Sequence, residues 1–432
     1  MKQTFLIAFC LCLSIVKIEA KKITYATWLM IWNGSDQKHW WKPTDYLSAT
    51  DFLGKYKSID WTQEAFIRDM IEAVKGAGIE VLVLDLTNGW GWLNSRVLFI
   101  QKLCQEKGLK ICIAENSNGN VRTFEEHCRD IWELFAGPKA PYFSTYLRIE
   151  GKPVIVCYAI REWYNAYRRS KGEYSSKFNL VWASGEDSDY GKWGWQLEPW
   201  VGPMPSEDAV FVTPSVKWSN EQEFWRSSIA WLDYTFKIGL SKKPKFLIVG
   251  SFDDIAERNA WLPCDTSRCS TPMQMRDIWG KVSFDFYYRR VKEWIRGKPS
   301  TIKGGMVPDG CYQFSAPNGK FLRIADIKGN PGANLVLGEE DYLFTRFMVY
   351  HIGDNIYRII SPNYGLAVEA SKEGGDEQAL RLWWNDEGNS QRWRVEKRGS
   401  FYRFINLETG KALSINGQEE WRLKAIFHLA EE

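Results

Sequence analysis

Along residues 21–300, apolar positions follow two alternating patterns. Short, nearly continuous apolar runs at Ile23–Trp32, Ile79–Leu86, Leu109–Ala114, Pro153–Ala159, Asn179–Ala183, Ala209–Val212 and Lys245–Ser251 read as strands. Between most of them lie helical stretches. Trp61 to Gly78 sets Phe66, Met70, Ile71 and Val74 on one face and stops at a glycine. Asn94 to Gly108 and Thr123 to Gly137 repeat that design: a polar start, an apolar stripe, a terminal glycine. Strands apolar on both faces, alternating with helices, predict a parallel sheet covered by helices. Seven strands fall one short of a (β/α)8 barrel, and the eighth is expected near Pro141–Leu147 or after Trp279. A doubly wound sheet ranks second, because no Gly-x-Gly-x-x-Gly follows any strand.

From Gly310 onward the period changes and the chain repeats itself. Tyr312, Tyr357 and Tyr402 stand 45 residues apart, in Gly310-Cys-Tyr-Gln-Phe, Asn355-Ile-Tyr-Arg-Ile and Ser400-Phe-Tyr-Arg-Phe. Each phrase runs into a turn (Asn318-Gly319, Asn363-Tyr364-Gly365, Thr409-Gly410) and then a second short strand. A unit this small cannot bury its apolar face alone, so three copies should close around one core. The expected fold class is therefore α/β plus all-β: a (β/α)8 domain over 21–300, then a β-trefoil over 306–432. In the second copy, Gln391-Arg-Trp393 resembles the Gln-x-Trp signature of ricin-type β-trefoil lectins. Thr345-Arg-Phe347 is a weaker form in the first copy, and Gln418 with Trp421 is the nearest match in the third. Such lectins place an acid on the second strand, where this chain has Arg323, Ala367 and Ser414. Gln391 and Trp393 then read as core residues. Trp383 or Trp384 is the sugar-binding candidate, with Asn385, Asp386 and Asn389 close by, because adjacent strand residues face opposite ways.

In a parallel barrel, chemistry belongs to the loops after the strands. Those loops carry acids and aromatics: Asp85 with Trp90 and Trp92, Glu115, Tyr158, Trp182 with Glu186 and Asp187, Trp193 with Trp195, and Asp253-Asp254-Ile-Ala-Glu257. The chain has 23 tryptophans, many in polar, turn-rich surroundings. An indole offers a flat apolar face and one donor, which suits a sugar ring. Glycosidic cleavage uses two carboxyl groups. Asp254 and Glu257 are such a pair, although Asp-x-x-Glu is equally a helix capping box. Tyr146-Leu-Arg-Ile-Glu-Gly-Lys-Pro-Val-Ile-Val-Cys-Tyr158 and Phe246-Leu-Ile-Val-Gly-Ser-Phe-Asp-Asp-Ile-Ala-Glu257 resemble segments of glycoside hydrolase family 71/99-like enzymes. The early Tyr25-Ala-Thr-Trp28 looks similar too. That resemblance implies a (β/α)8 barrel cleaving an α-linked glucan or mannan, with Glu257 as acid and Asp254 as base. Asp254 stands where the family has a glutamate, one methylene longer, and Asp253 stands where it has an asparagine. The alternative is a non-catalytic carbohydrate-binding protein with a degenerate barrel.

Residues 1–20 have the form of a secretory leader: Lys2, an apolar stretch from Phe5 to Val16, and Ala20 at the cleavage end. The stretch is too short to span a bilayer, so export to a secreted or periplasmic location is expected. Net charge is +3 with both signs interspersed, which gives no nucleic-acid footprint. Seven cysteines follow the leader; Cys264 and Cys269 are close enough to pair, while Cys112 and Cys157 sit in apolar strands. The four histidines form no His-x-x-x-His set, and His127 reads as an ordinary helix residue. Nothing calls for a metal or cofactor. The expected protein is a monomeric, exported glycoside hydrolase acting on an oligo- or polysaccharide. The trefoil is expected to be a separable module that holds the enzyme on polymer.

Overall fold

The computed structural model describes residues 22–34, 48–184, 193–194, 208–214, 228–255, 259–297, 299–325, 331–341, 344–371 and 379–430. The expected leader, Trp195, Glu186, Asp187 and Glu257 lie outside the described residues. Among the described residues no helix is long and apolar enough to cross a membrane.

The first half runs β1 (Thr24–Leu29), α1 (Glu64–Ala77), β2 (Val81–Asp85), α2 (Asn94–Lys107), β3 (Lys110–Glu115), α3 (Val121–Ile131), β4 (Arg148–Ile149), β5 (Lys152–Ala159), α4 (Arg161–Arg169), β6 (Asn179–Ser184), β7 (Ala209–Val212), α5 (Ile229–Ser241), β8 (Phe246–Ser251) and α6 (Phe286–Ile295). Seven strands pair in parallel in the order β6-β5-β3-β2-β1-β8-β7, and β4 only folds back antiparallel on β5. The strands follow chain order around the sheet, which is not a doubly wound order. Among the described residues β6 and β7 do not pair, so the expected eight-stranded ring is seen as an open, seven-stranded curl. Near Pro141–Leu147 the eighth strand is reduced to one parallel bridge, Tyr146 to Ile111. After Trp279 there is an antiparallel bridge, Arg276 to Val282, and then a helix.

Helices α1 and α2 end where the sequence pattern places glycines. Gly78 closes α1 at φ 103°, and a Cβ there would come within 2.7 Å of Ile295 on α6. Only glycine fits both the left-handed turn and that close packing. α3 is capped by Asn120, whose Oδ1 accepts from Arg122 N (3.0 Å) and Thr123 N (3.1 Å). Cys264 and Cys269 are free, buried thiols, as are the other five described cysteines, so the expected pairing is not formed. The first half is held by its apolar core instead.

The second half comprises β9 (Gly310–Ser315), β10 (Phe321–Ile324), β11 (Leu335–Gly338), β12 (Phe347–Gly353), β13 (Ile356–Ile360), β14 (Leu366–Ser371), β15 (Ala379–Trp384), β16 (Trp393–Arg398), β17 (Phe401–Asn406) and β18 (Arg422–His428). A ring closes through β9-β12-β13-β16-β17, the Tyr402–Trp421 bridge, and β18 back onto β9. The hairpins β10–β11 and β14–β15 cap it, and in the third copy the hairpin shrinks to the bridges Ile405–Ala412 and Ile415–Gln418. This is a β-trefoil. Trp393 and Trp421 are fully buried and bond alike, Nε1 to Val368 O at 3.1 Å and to Leu413 O at 3.0 Å. In each copy the residue after the repeated tyrosine reaches the polar residue two places before the buried aromatic. Gln313 donates to Thr345, Arg358 to Gln391, and Arg403 to Glu419. The third signature is therefore Glu419-x-Trp421, with Glu419 in the place expected for Gln418.

The halves share a buried seam. Asp233 on α5 is fully buried and accepts from Arg290 Nε and Nη2 (2.8 Å each), Trp294 Nε1 (2.7 Å) and, from the trefoil, Tyr350 OH (3.0 Å). Arg346 Nη1 donates to Tyr234 OH at 2.8 Å. At the second copy, Arg358 donates to Trp279 O (3.1 Å) and Asn385 to Asp277 O (3.2 Å). Gly280 lies so close that a Cβ would meet the Asp386 carbonyl oxygen at 2.0 Å. Cys311, Met348, Tyr350, Ile360, Ala367 and Leu429 are continuous with the core of the first half.

Asp309, at the mouth of β9, gives this junction a pH signature. Its Oδ1 accepts from His351 N at 2.6 Å, while its buried Oδ2 has no partner among the described residues. Burial pushes its carboxyl up to about 6, against the pull of the His351 amide and the Arg290 charge. A carboxyl raised on folding favours the native state below its unfolded pKa, and that contribution is lost as pH rises from about 4 through about 6. Asp309→Asn keeps the acceptor and carries no charge. It is expected to gain up to about 3 kcal/mol at pH 7.5 and almost nothing near pH 4. Urea melts at the two pH values check this.

Candidate active site at the carboxyl ends of the strands

Because the seven strands are parallel, their carboxyl ends share one edge, and Asp85, Glu115, Tyr158, Asp253 and Asp254 all lie there. Asp85 ends β2, in register with Ala114, and Glu115 ends β3, in register with Cys157. Their placement follows from the apolar runs before them, which bury the strands and carry the next residue to the rim.

Asp85 is buried and accepts from Thr87 N (2.8 Å) and Trp32 Nε1 (2.7 Å). Burial raises its pKa, and those two donors pull it back. Asp253 is fully buried two residues past β8. It accepts from Met30 N at 3.0 Å and Trp61 Nε1 at 2.8 Å. Burial pushes it up to about 6, the two donors oppose this, and the charge of Asp85 adds to it. The loop after β1 thus ties the two acids together, Met30 to one and Trp32 to the other. Asp254 is also buried, and its backbone oxygen accepts from Ala260 N at 3.1 Å.

Glu115 is fully buried and meets His127 Nδ1 of α3 at 3.1 Å; its Oε1 accepts no hydrogen bond among the described residues. Its pKa is raised by burial, with His127 pulling the other way. The His127 ring stacks on Trp90 with centroids 3.6 Å apart, and Trp90 Nε1 points to Asp130 at 3.4 Å. His127 therefore joins an acid to a tryptophan of the rim. In the sequence it reads as an ordinary helix residue, and the signal available there was its place on the helix that follows the Glu115 strand. Trp92 is 43% exposed, with the Arg96 guanidinium 5.3 Å from its ring. Tyr158 is half-buried, level with Ala183 of β6.

Other expected site residues are placed differently. Trp193 does not line the rim: it is buried inside the curl, its ring 4.9 Å from Phe246 at the start of β8 and its carbonyl bonded to Trp28 Nε1 at 2.7 Å. Trp182 is sandwiched, stacked on Tyr164 (5.4 Å) with Arg161 5.3 Å from its ring. In the trefoil, Trp383 and Trp384 are both half-buried. Arg381 lies 4.3 Å over the Trp383 ring, and Trp384 packs on the trefoil core. Asn385 and Asp386 are engaged by the seam. Among the described residues no three His, Cys, Asp or Glu gather to hold a metal.

Residues 344–425 match the family model of the ricin-type beta-trefoil lectin domain-like group. No curated protein matches the chain by sequence. Among solved structures, the chain is similar to the GH99 endo-alpha-mannosidase of Bacteroides thetaiotaomicron: 15% identity, 63% of this chain and 96% of that one, TM-score 0.45. It is also similar to the designed 3-fold symmetric protein ThreeFoil: 21% identity, 27% and 98% of the two chains, TM-score 0.25. A third is the Polyporus squamosus lectin bound to a sialylated epitope: 13% identity, 28% and 50%, TM-score 0.25.

Proposed function

We propose that the chain is an exported glycoside hydrolase acting on an α-linked glycan, its first half a (β/α)8 barrel and its trefoil a lectin-like module. The observation that carries this reading is the gathering of buried acids and indole donors at one rim: Asp85 with Trp32, Asp253 with Trp61, and Glu115 with His127 and Trp90. A fold stabilised only by packing has little use for three buried carboxyls at neighbouring strand ends, since each costs free energy to desolvate. A glycan, by contrast, brings hydroxyl donors for such acceptors and an apolar ring face for Trp90 and the exposed Trp92. In this reading Glu257 protonates the leaving oxygen and Asp254 acts as base, as the likeness of the Phe246–Glu257 segment implies. Asp85, Glu115, Tyr158 and Asp253 hold sugar hydroxyls, and Trp195 is a further sugar-binding candidate from the sequence. Asp254 is one methylene shorter than glutamate, so the loop after β8 must bring it forward for activity.

The test is chromatography of defined α-mannan and α-glucan oligosaccharides after incubation with the protein and with Asp254→Asn. Cleavage by the wild type that falls at least a hundredfold in the variant supports the reading. Binding of those sugars without cleavage by either protein would establish the non-catalytic alternative.

A further inference from the structure

Charge is unevenly spread over the trefoil. Between residues 391 and 430 there are eight lysines and arginines against four glutamates, whereas residues 306–390 carry seven against twelve acids. Much of the positive charge lies on β16, β17 and the start of β18. Arg394, Glu396 and Arg398 alternate along β16 and share one face. Arg398 stands directly opposite Phe401 of β17. The antiparallel Tyr402–Trp421 bridge sets Arg422 on the far side of Phe401, its guanidinium 5.2 Å from the ring. The side chains of Arg394 and Arg398 are 54% and 57% exposed, and both lean on the single carboxylate of Glu396, at 3.9 and 3.2 Å. Two guanidinium groups sharing one acid leave a surplus of charge and free donor edges.

This face lies away from the seam: the trefoil residues packed on the first half's core come from β9, β12, β13, β14, the far end of β18 (Ile426, Phe427) and the chain after it, and none from β16, β17 or the start of β18. We infer that it is a second binding surface, for a sulfated polysaccharide. Arg398 and Arg422 are two strand spacings apart, roughly 10 Å at the backbone. They therefore serve anionic groups on different sugars of one chain. Phe401 between them offers a flat apolar surface for the intervening ring. A planar guanidinium grips two oxygens of an oxyanion at once. A sulfate ester stands off its ring and reaches arginines on exposed strands more readily than a carboxylate carried on the ring itself.

The inference is independent of catalysis, and the whole protein is the reagent. Immobilised heparin is the sulfated probe, with polygalacturonate and double-stranded DNA as competitors. Wild type is expected to bind heparin, with affinity falling steeply with salt. Arg394→Ser/Arg398→Ser/Arg422→Ser should weaken that binding roughly tenfold or more near physiological salt, with Tm unchanged because the three side chains are exposed. Arg398→Ser alone should weaken it severalfold, which preserves the test if the triple variant misfolds. Failure of wild type to bind heparin, or variants within about twofold of wild type, would overturn the proposal. So would polygalacturonate or DNA competing as well as free heparin.

Discussion

A chain cut after Gly305 is expected to be insoluble or molten, not a working domain freed of its tail. The cut removes Tyr350 from Asp233 and Arg346 from Tyr234, and exposes the apolar surface that Cys311, Met348, Ile360 and Leu429 cover. Asp233 and Arg290 are almost wholly buried in the intact protein, and without the trefoil Asp233 loses the phenol that donates to it. A point variant reports the same seam more finely. Asp233→Ala leaves the Arg290 guanidinium buried without the carboxylate it grips through two nitrogens. Removing one partner of such a pair costs about 3–5 kcal/mol, a large part of the stability of an ordinary domain. Soluble yield of the truncated chain and the urea midpoint of the full-length variant are the measurements. A truncated chain that melts cooperatively near the wild-type temperature would show that the seam is an accessory contact.

Glu257→Gln is expected to abolish cleavage of unactivated glycans by several orders of magnitude while sugar binding and fold persist. An acid that protonates a leaving oxygen near neutral pH needs a raised pKa. Glu257 follows Asp253 by four residues in the sequence, and burial already pushes Asp253 up to about 6 and raises Asp85 and Glu115. Substrates with an activated leaving group, which need no proton, should be partly spared. If Asp254 and Glu257 form only a capping box, the variant should instead lose roughly 1 kcal/mol of stability with turnover unchanged. Measuring Tm and hydrolysis on the same preparation separates the two.

What the sequence made legible is what short-range patterning controls. The apolar runs located the seven parallel strands, the glycines located the ends of α1 and α2, and the tyrosine repeat located the trefoil copies. Residues whose role depends on a distant partner were not legible. Nothing local to Tyr350 announces Asp233, 117 positions away, or turns Asn385 towards the loop at Asp277. Trp193 reads as a rim residue until its ring is found buried against Phe246, at the opposite end of β8. His127 looked ordinary because its partners, Glu115 and Trp90, come from two different strand ends. Glu419 was missed because the third copy reaches its buried tryptophan after a much shorter stretch than the first two, which breaks the alignment of the repeats.

Under the proposed function, the buried seam also bears on which polymers are selected. A module on a flexible linker enriches its partner for chains of any length, and its benefit fades smoothly as the linker grows. Here Asp233, Arg290 and Tyr350 remove the linker's freedom, so under the proposed function the trefoil and the strand-end rim would act as the two jaws of a caliper. Glycans shorter than the gap would then gain nothing from the trefoil, those that just span it would gain the most, and the gain would appear as a step in chain length.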